Sequence, residues 1–324
     1  MIRAGTPALV FAPMDGITDA PMRALVGEWG CFSYSVTEFV RVSGEALPAK
    51  VFRREVPEVA TDCKTVTGLP VQVQILGGHP ERMALSALAA VRAGAKSIDI
   101  NFGCPSPTVN GNDGGASLLR TPCRIREVVR AVRDALPPEI PVSAKLRLGW
   151  ESIDDIFENA PMAVEGGAAW LTLHARTRTQ RYEPPVFWPH LRRVNELIGV
   201  PVVANGDIFS FDDFQKCRET TGCEHFMVGR GALAVPGLAR QISVNLGLEP
   251  TAGSEFESWN TWLSRLIYWC DQFHPGTERR TLARLKQWLN IAYRHGSLDV
   301  FQRVKRAETV KELMAWLEPD FVNN

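Results

Sequence analysis

Cys104 lies in the stretch SIDINFGCPSPTVNGNDGG, residues 97–115, where an apolar run ends at Asn101 and gives way to glycine, proline and asparagine. A structural cysteine is usually buried and inert. This one follows a glycine and precedes Pro105 in a loop, so its thiol can reach a substrate as an acid or a nucleophile. No neighbouring base suits acyl transfer, which favours a proton donor. Lys145 in PVSAKLRLG and Gln74 in VQVQILG stand near the ends of two other apolar runs. Lysine is rarely buried without a partner, so a negative group is expected opposite Lys145. A reduced flavin, anionic around N1 and O2, would supply it, with Gln74 on the pyrimidine edge of the ring. The segment APMDG, with Pro13, Met14 and Asp15, then reads as a backbone cradle in which the soft Met14 thioether lies against the ring.

Two further run ends concern phosphate. PVVANGD finishes with Asn205, Gly206 and Asp207, and FMVGRGA turns at Gly229 and Arg230. Backbone amides and a guanidinium after consecutive strands can hold a phosphate-bearing cofactor. Glycine after a strand is also ordinary turn chemistry, so the weight rests on the pair. His174 closes WLTLHAR in the same way.

The elements that must position these residues can be counted. Eight short apolar runs recur up to residue 230, with helical stretches such as PERMALSALAAVRAG and CRIREVVRAVRDAL between them. Continuous rather than alternating runs point to parallel strands covered by helices. Three joints, AVRAGAKSIDIN, AVEGGAAWLTLH and ETTGCEHFMVGR, repeat one pattern of helix end, glycine and strand. Eight such strands favour a (β/α)8 TIM barrel over an open doubly wound sheet, whose GxGxxG fingerprint is absent. In such a barrel every residue named above gathers at one mouth.

After residue 247 the pattern changes. LGLEPTAGSEFESW reads as a linker, and Phe256, Trp259, Leu263, Leu266, Cys270 and Phe273 then recur at helical spacing. Two domains follow: a catalytic barrel over 1–247 and an all-helical domain over 248–324. Residues 279–306 hold eight Lys or Arg and one acidic residue, Asp299. A solvated helix face is the bland account. The interleaved Trp288 and Tyr293 tilt the segment toward a nucleic-acid backbone. The whole chain has 36 basic and 36 acidic residues, so only such local segregation can attract RNA. Seven cysteines form no CxxC pair and no zinc spacing, the N-terminus lacks a signal-peptide pattern, and no apolar run is long enough to span a membrane. A cytoplasmic monomer without metal or membrane contact is expected.

Taken in order, APMDGITD, TEFVRV, QILG, NFGCPSPTVNGNDGGASLL, KLRLGW, LHARTR, VVANGDI and VGRGAL resemble the tRNA-dihydrouridine synthases from about residue 8 to 240. TEFVRV and LARLKQW resemble most the bacterial DusC branch, which acts on uridine 16 of the tRNA D-loop. The resemblance implies FMN as cofactor, NADPH as reductant and reduction of a uridine C5=C6 bond to 5,6-dihydrouridine. It implies Cys104 as proton donor, with Lys145, Asn101 and His174 positioning the base and stabilising charge. By the same likeness Lys145 and His174 also meet the flavin, Arg284, Lys286 and Lys305 contact tRNA, and Arg41 and Asn101 lie near the target base. The chain departs from the family at Pro107, where many relatives carry a basic residue, and at Asp15, where the branch often has Glu. Other readings are an FMN barrel acting on a free pyrimidine or another small molecule, a synthase for a different D-loop position, and a catalytically silent tRNA-binding protein.

Overall fold

The computed structural model describes residues 1–111, 114–250 and 258–321. The eight apolar runs are strands, and a short ninth joins them: β1 (Ala8–Phe11), β2 (Tyr34–Val36), β3 (Val40–Arg41), β4 (Val71–Leu76), β5 (Ile98–Phe102), β6 (Val142–Arg147), β7 (Leu171–His174), β8 (Val202–Asn205) and β9 (His225–Val228). Neighbours pair in parallel. β1 pairs with both β2 and β9, and β2 pairs with β4, which closes the barrel. β3 lies outside that ring, on the C-terminal end of β4 through Val40 opposite Ile75 and Arg41 opposite Leu76. The fold is the (β/α)8 barrel that the sequence pattern predicts.

Strand alternation decides what the barrel holds. Leu9, Phe11, Val71, Val73, Ile98 and Ile100 belong to the core shared with the outer helices, whereas Val10, Ala12, Tyr34, Val36, Trp170, Val203 and Met227 form an inner cluster. From β4 to β7 the alternate positions are polar: Gln72 and Gln74, Asp99 and Asn101, Ser143, Lys145 and Arg147, Thr172 and His174. Barrels of this type are usually filled with branched apolar residues. Half of this interior is instead a hydrogen-bonding surface that rises toward the strand ends.

The outer helices follow their patterns. Pro80–Ala93 buries Met83, Ala87 and Ala90, and Pro122–Ala135 buries Ile125, Val128, Val129 and Val132. At the first joint Gly94 adopts φ +125°, and a Cβ there would lie 2.0 Å from the Val59 carbonyl oxygen. The helix therefore turns back to β5 only through glycine.

The boundary expected at residue 247 falls just after the helix Leu238–Asn245. Half of the expected linker, and Phe256 with it, lies outside the described residues. The C-terminal helices Trp259–Phe273, Glu278–His295, Phe301–Val304 and Val310–Phe321 share one apolar core with the barrel. A tryptophan cluster joins the two parts: Trp29 packs edge-on to Trp262 at 5.7 Å between centroids, and Trp259 packs edge-on to Trp288 at 5.6 Å. Trp288 Nε1 donates to the Leu233 carbonyl at 2.8 Å. Gly296 approaches so closely that a Cβ would lie 2.2 Å from the Ala234 oxygen. Among the described residues no helix is long and apolar enough to cross a membrane.

Trp288 is 2% exposed, so Trp288→Ala should open a cavity, strand the Leu233 carbonyl and cost about 3–5 kcal/mol. Urea unfolding of the full chain measures this; a loss below about 1 kcal/mol would mean that the tryptophan cluster does not hold the helices to the barrel.

Candidate active site

The C-terminal strand ends enclose a cavity of ≈ 350 Å³. Pro13, Met14 and Asp15 line it from β1, Gln74 from β4, Asn101 and Cys104 from β5, and Lys145 from β6. His174, Asn205, Gly206, Asp207, Gly229 and Arg230 complete it from β7, β8 and β9. Every residue expected to meet a cofactor or to react therefore shares this one space with Asn101. Period-two alternation puts Lys145 and Arg147 on the same inner face, and parallel register sets Asn101 beside Lys145 and His174 beside both Arg147 and Asn205.

Charge is the dominant feature. Lys145 Nζ donates to Asn205 Oδ1 at 3.2 Å. Burial pushes the Lys145 ammonium down to about 8, and nearby Arg147 pushes the same way against the pull of Asp99. Arg147 is 2% exposed; its Nε donates to the Gly103 carbonyl at 2.8 Å, and its Nη1 to the carbonyls of Thr177 and Arg181 at 3.0 and 2.6 Å. It thus ties the Cys104 loop to the loop after β7. Arg176 makes a two-bond ion pair with Asp207, which also lies 3.5 Å from Arg230. Arg230 in turn stacks over Tyr182 at 4.7 Å. Burial, then the charges of Arg147, Lys145, Arg176 and Arg230, hold His174 well below the ordinary histidine value. His174 is therefore neutral at pH 7, and its Nε2 is buried with no hydrogen-bond partner among the described residues.

Cys104 is partly buried, and burial pushes its thiol above the ordinary value of 9.0. The thiol is protonated at neutral pH, the state a proton donor needs. Its loop is tethered: Ala116 N donates to the Cys104 carbonyl at 3.2 Å, and Gly115, at φ +60°, leaves no room for a Cβ against Val109 and Cys104.

Residues 10–317 match the family model described as "Dihydrouridine synthase (Dus)". The chain belongs to the dihydrouridine synthase family. It is similar to the tRNA-dihydrouridine(16) synthase of Neisseria meningitidis serogroup B, at 40% identity over 96% of this chain and 94% of that one. Its similarity to the enzyme of that name from Aquipseudomonas alcaligenes is 40% over 95% and 98%. Against Vibrio parahaemolyticus it is 44% over 73% and 74%. Among solved structures, histamine dehydrogenase from Rhizobium sp. 4-9 superposes with a TM-score of 0.57 at 14% identity, over 83% of this chain and 50% of that one. An old yellow enzyme homologue from Zymomonas mobilis gives 0.50 at 14%, over 79% and 94%. These two share the fold.

Set against this dihydrouridine synthase framework, several expected roles change. Arg284, expected on the RNA surface, is 7% exposed and pairs with Asp19 at 2.5 Å, while also donating to Gln287 at 3.0 Å. Asp19 caps the helix Ala20–Glu28 at its N-terminus, so Arg284 braces the C-terminal helices against the barrel. Helical spacing in 279–306 reveals a basic stripe but not which of its members turns inward. Asp207 faces Arg176 and Arg230, so its carboxylate orients arginines rather than meeting an anion. Gln74 already has protein partners at both ends of its amide, donating to Asp99 at 2.7 Å and accepting from Asn101 at 2.8 Å. Lys286 is half-buried, Lys305 exposed, and Arg41 donates to the Thr108 carbonyl at 3.2 Å on the Cys104 loop. Arg147, Arg176, Tyr182 and Asp99 are members of the site or its support that the sequence reading gave no role. Their signal was position: Arg147 lies two residues past Lys145, Arg176 two past His174, and Asp99 two before Asn101.

Lys145 yields a sign-defined prediction. Its folded value, about 8, lies below the ordinary 10.5, so between those pH values the unfolded chain binds a proton that the folded chain does not, and stability rises with pH. In the ligand-free protein this rise should be absent from Lys145→Met, as urea unfolding at several pH values can test. Identical pH slopes in parent and variant would place Lys145 in an ordinary, solvated environment.

Proposed function

We propose that this chain binds FMN in the barrel-mouth cavity and reduces the C5=C6 bond of a tRNA uridine to 5,6-dihydrouridine, with NADPH as reductant and position 16 of the D-loop as target. The observation that carries it is a protonated thiol, Cys104, facing the same cavity as a buried cation, Lys145, inside a dihydrouridine synthase barrel. The position rests on relatives near 40% identity that are named tRNA-dihydrouridine(16) synthases.

The residues present fit the cofactor. A Cβ at Gly229 would lie 3.0 Å from Ala12 Cβ and 3.1 Å from Met14 Sδ, and one at Gly206, at φ +123°, would lie 3.0 Å from His174 Cδ2. Both glycines keep space open beside Arg230 and the unpartnered His174 Nε2, a set that suits a phosphate and its ribityl chain. Lys145 suits the anionic N1–O2 side, only the second N–H of Gln74 remains for the pyrimidine edge, and Pro13, Met14 and Asp15 would cradle the ring. Bound and reduced, a flavin supplies hydride to C6 of the uracil.

The protein's own groups do the rest. Uracil C5=C6 is conjugated with C4=O, so negative charge develops toward O4 as C6 is reduced. Lys145 and the free N–H of Asn101 face the cavity where that charge forms. His174, being neutral, adds no charge of its own. Cys104 then gives its proton to C5 and recovers one from solvent. A uridine reaches this depth only when swung out of the folded RNA. Arg41 at the mouth and Lys286 and Lys305 on the helices are placed to hold the surrounding backbone, and Arg279, Arg280, Arg294 and Arg306 are exposed on the same segment.

Purified protein given FMN, NADPH and unmodified tRNA should add two hydrogens at uridine 16, read by mass spectrometry. Cys104→Ala should keep FMN and its reduction by NADPH but form product about 100-fold or more slowly. The parent rate should hold through neutral pH and fall as pH rises through the raised thiol value, because the donor must be protonated. Full activity in Cys104→Ala would remove the thiol from the reaction, and absence of product from the parent would return the small-molecule reading.

A further inference from the structure

From the cavity lining at Asn101 and Gln74 a chain of buried polar side chains runs down to Asp99, Ser143 and Gln72, for which the reaction has no direct use. Ser143 Oγ donates to Asp99 Oδ1 at 2.5 Å, and Gln72 Nε2 donates to Ser143 Oγ at 3.0 Å. On its other side Asp99 Oδ2 accepts from Gln74 Nε2 at 2.7 Å. Gln74 Oε1 then accepts from Asn101 Nδ2 at 2.8 Å, and Asn101 Oδ1 accepts from the Gly103 backbone N–H at 2.9 Å. Asp99 is 2% exposed and Gln74 0%.

The direction of this chain is determined at both ends. An ionised carboxylate can only accept, and a backbone N–H can only donate. Between them stand two amides that could each be turned over. Asp99 requires Gln74 to present its NH2, which leaves Oε1 for Asn101. Gly103 requires Asn101 to present its oxygen, which leaves NH2 for Gln74. The two requirements agree, and every donor in the chain points toward Asp99. One N–H of Asn101 is thereby left for the cavity, and Gly103, next to Cys104, is anchored at the loop's start. Desolvation pushes Asp99 up to about 6, against the pull of Ser143, Gln74 and Lys145, so it remains largely an acceptor at neutral pH.

We propose that Asp99 is a positioning residue: through Gln74 it fixes the amide polarity of Asn101 and the base of the Cys104 loop, so that the cavity offers a donor to a substrate carbonyl. This rests on the uridine-reduction reading for what that donor serves. Asp99→Asn keeps the shape and removes the charge that sets the direction. If the amide introduced there turns its oxygen to Gln74, the order of the amides beyond it survives, but Gln74 then donates to a neutral oxygen in place of a carboxylate and holds Asn101 less firmly, and the serine proton loses its acceptor. If it turns its NH2 to Gln74, both of the amides beyond it reverse and two donors meet at Gly103. Either way a buried bond is lost.

Two measurements on the FMN-loaded full chain test this. In NMR spectra the Asn101 side-chain amide, assigned by its loss in Asn101→Asp, should exchange with solvent about tenfold faster in Asp99→Asn. Oxidation of the dithionite-reduced protein by unmodified tRNA, in a single turnover, should slow about tenfold while FMN content is retained. Should Asp99→Asn fail to fold, Ser143→Ala should move both readouts in the same direction. Unchanged Asn101 exchange would overturn the relay. Altered exchange with an unchanged oxidation rate would overturn its bearing on the reaction. A parent protein that tRNA cannot oxidise would defeat the uridine reading, and the exchange measurement would still decide the relay.

Discussion

Four cations, Lys145, Arg147, Arg176 and Arg230, converge on one barrel mouth, and each must be compensated there or left unstable. The rest of the site follows from how that is done. Arg147 is held by three carbonyl oxygens, which fixes the Cys104 loop and the loop after β7 to one another. Asp207 holds Arg176 and lies beside Arg230. Lys145 receives least: a neutral amide from Asn205, and Asp99 deeper in the barrel. Burial, and then the same field, keeps His174 neutral. A site so arranged favours an anion over Lys145, while burial, against the pull of Arg147 and Arg41, keeps a proton on Cys104; these are the two conditions that reduction of a conjugated C=C bond by hydride and proton requires.

The barrel supplies these conditions because parallel strands bring alternate residues to a single end. On β5 the alternation carries Asp99 and Asn101, and on β6 it carries Ser143, Lys145 and Arg147, so support and reacting groups stand one above the other. The C-terminal helices complete the mouth from outside. They are joined to the barrel by tryptophan packing and by Arg284 on Asp19. The surface we propose for RNA is thus joined to the cavity through these contacts.

Much of this was legible in the sequence, for physical reasons. Apolar runs separated by helix-glycine joints specify parallel strands, and Gly94 shows why: its joint has no space for a side chain. Polar run ends specified the cavity lining. Asp99 was overlooked because reading SIDINFG as one apolar run hides an inward aspartate, and β3 because two residues make no pattern. Arg284 was misassigned because charge in a sequence says nothing of which face is covered, and only the position of Asp19 in space turns it inward. The partners of Gln74 were equally out of reach, since the register that sets Gln74 opposite Asp99 is defined only when β4 and β5 pair.

The most direct test is position-resolved mapping of dihydrouridine in tRNA from cells lacking this gene, beside the parent strain and a strain restored with the intact gene. The account predicts that dihydrouridine at position 16 disappears on deletion and returns on restoration, with other D-loop positions unchanged. Loss at another position alone would contradict the assigned target and leave the chemistry standing. Unchanged dihydrouridine at every position would contradict the function itself.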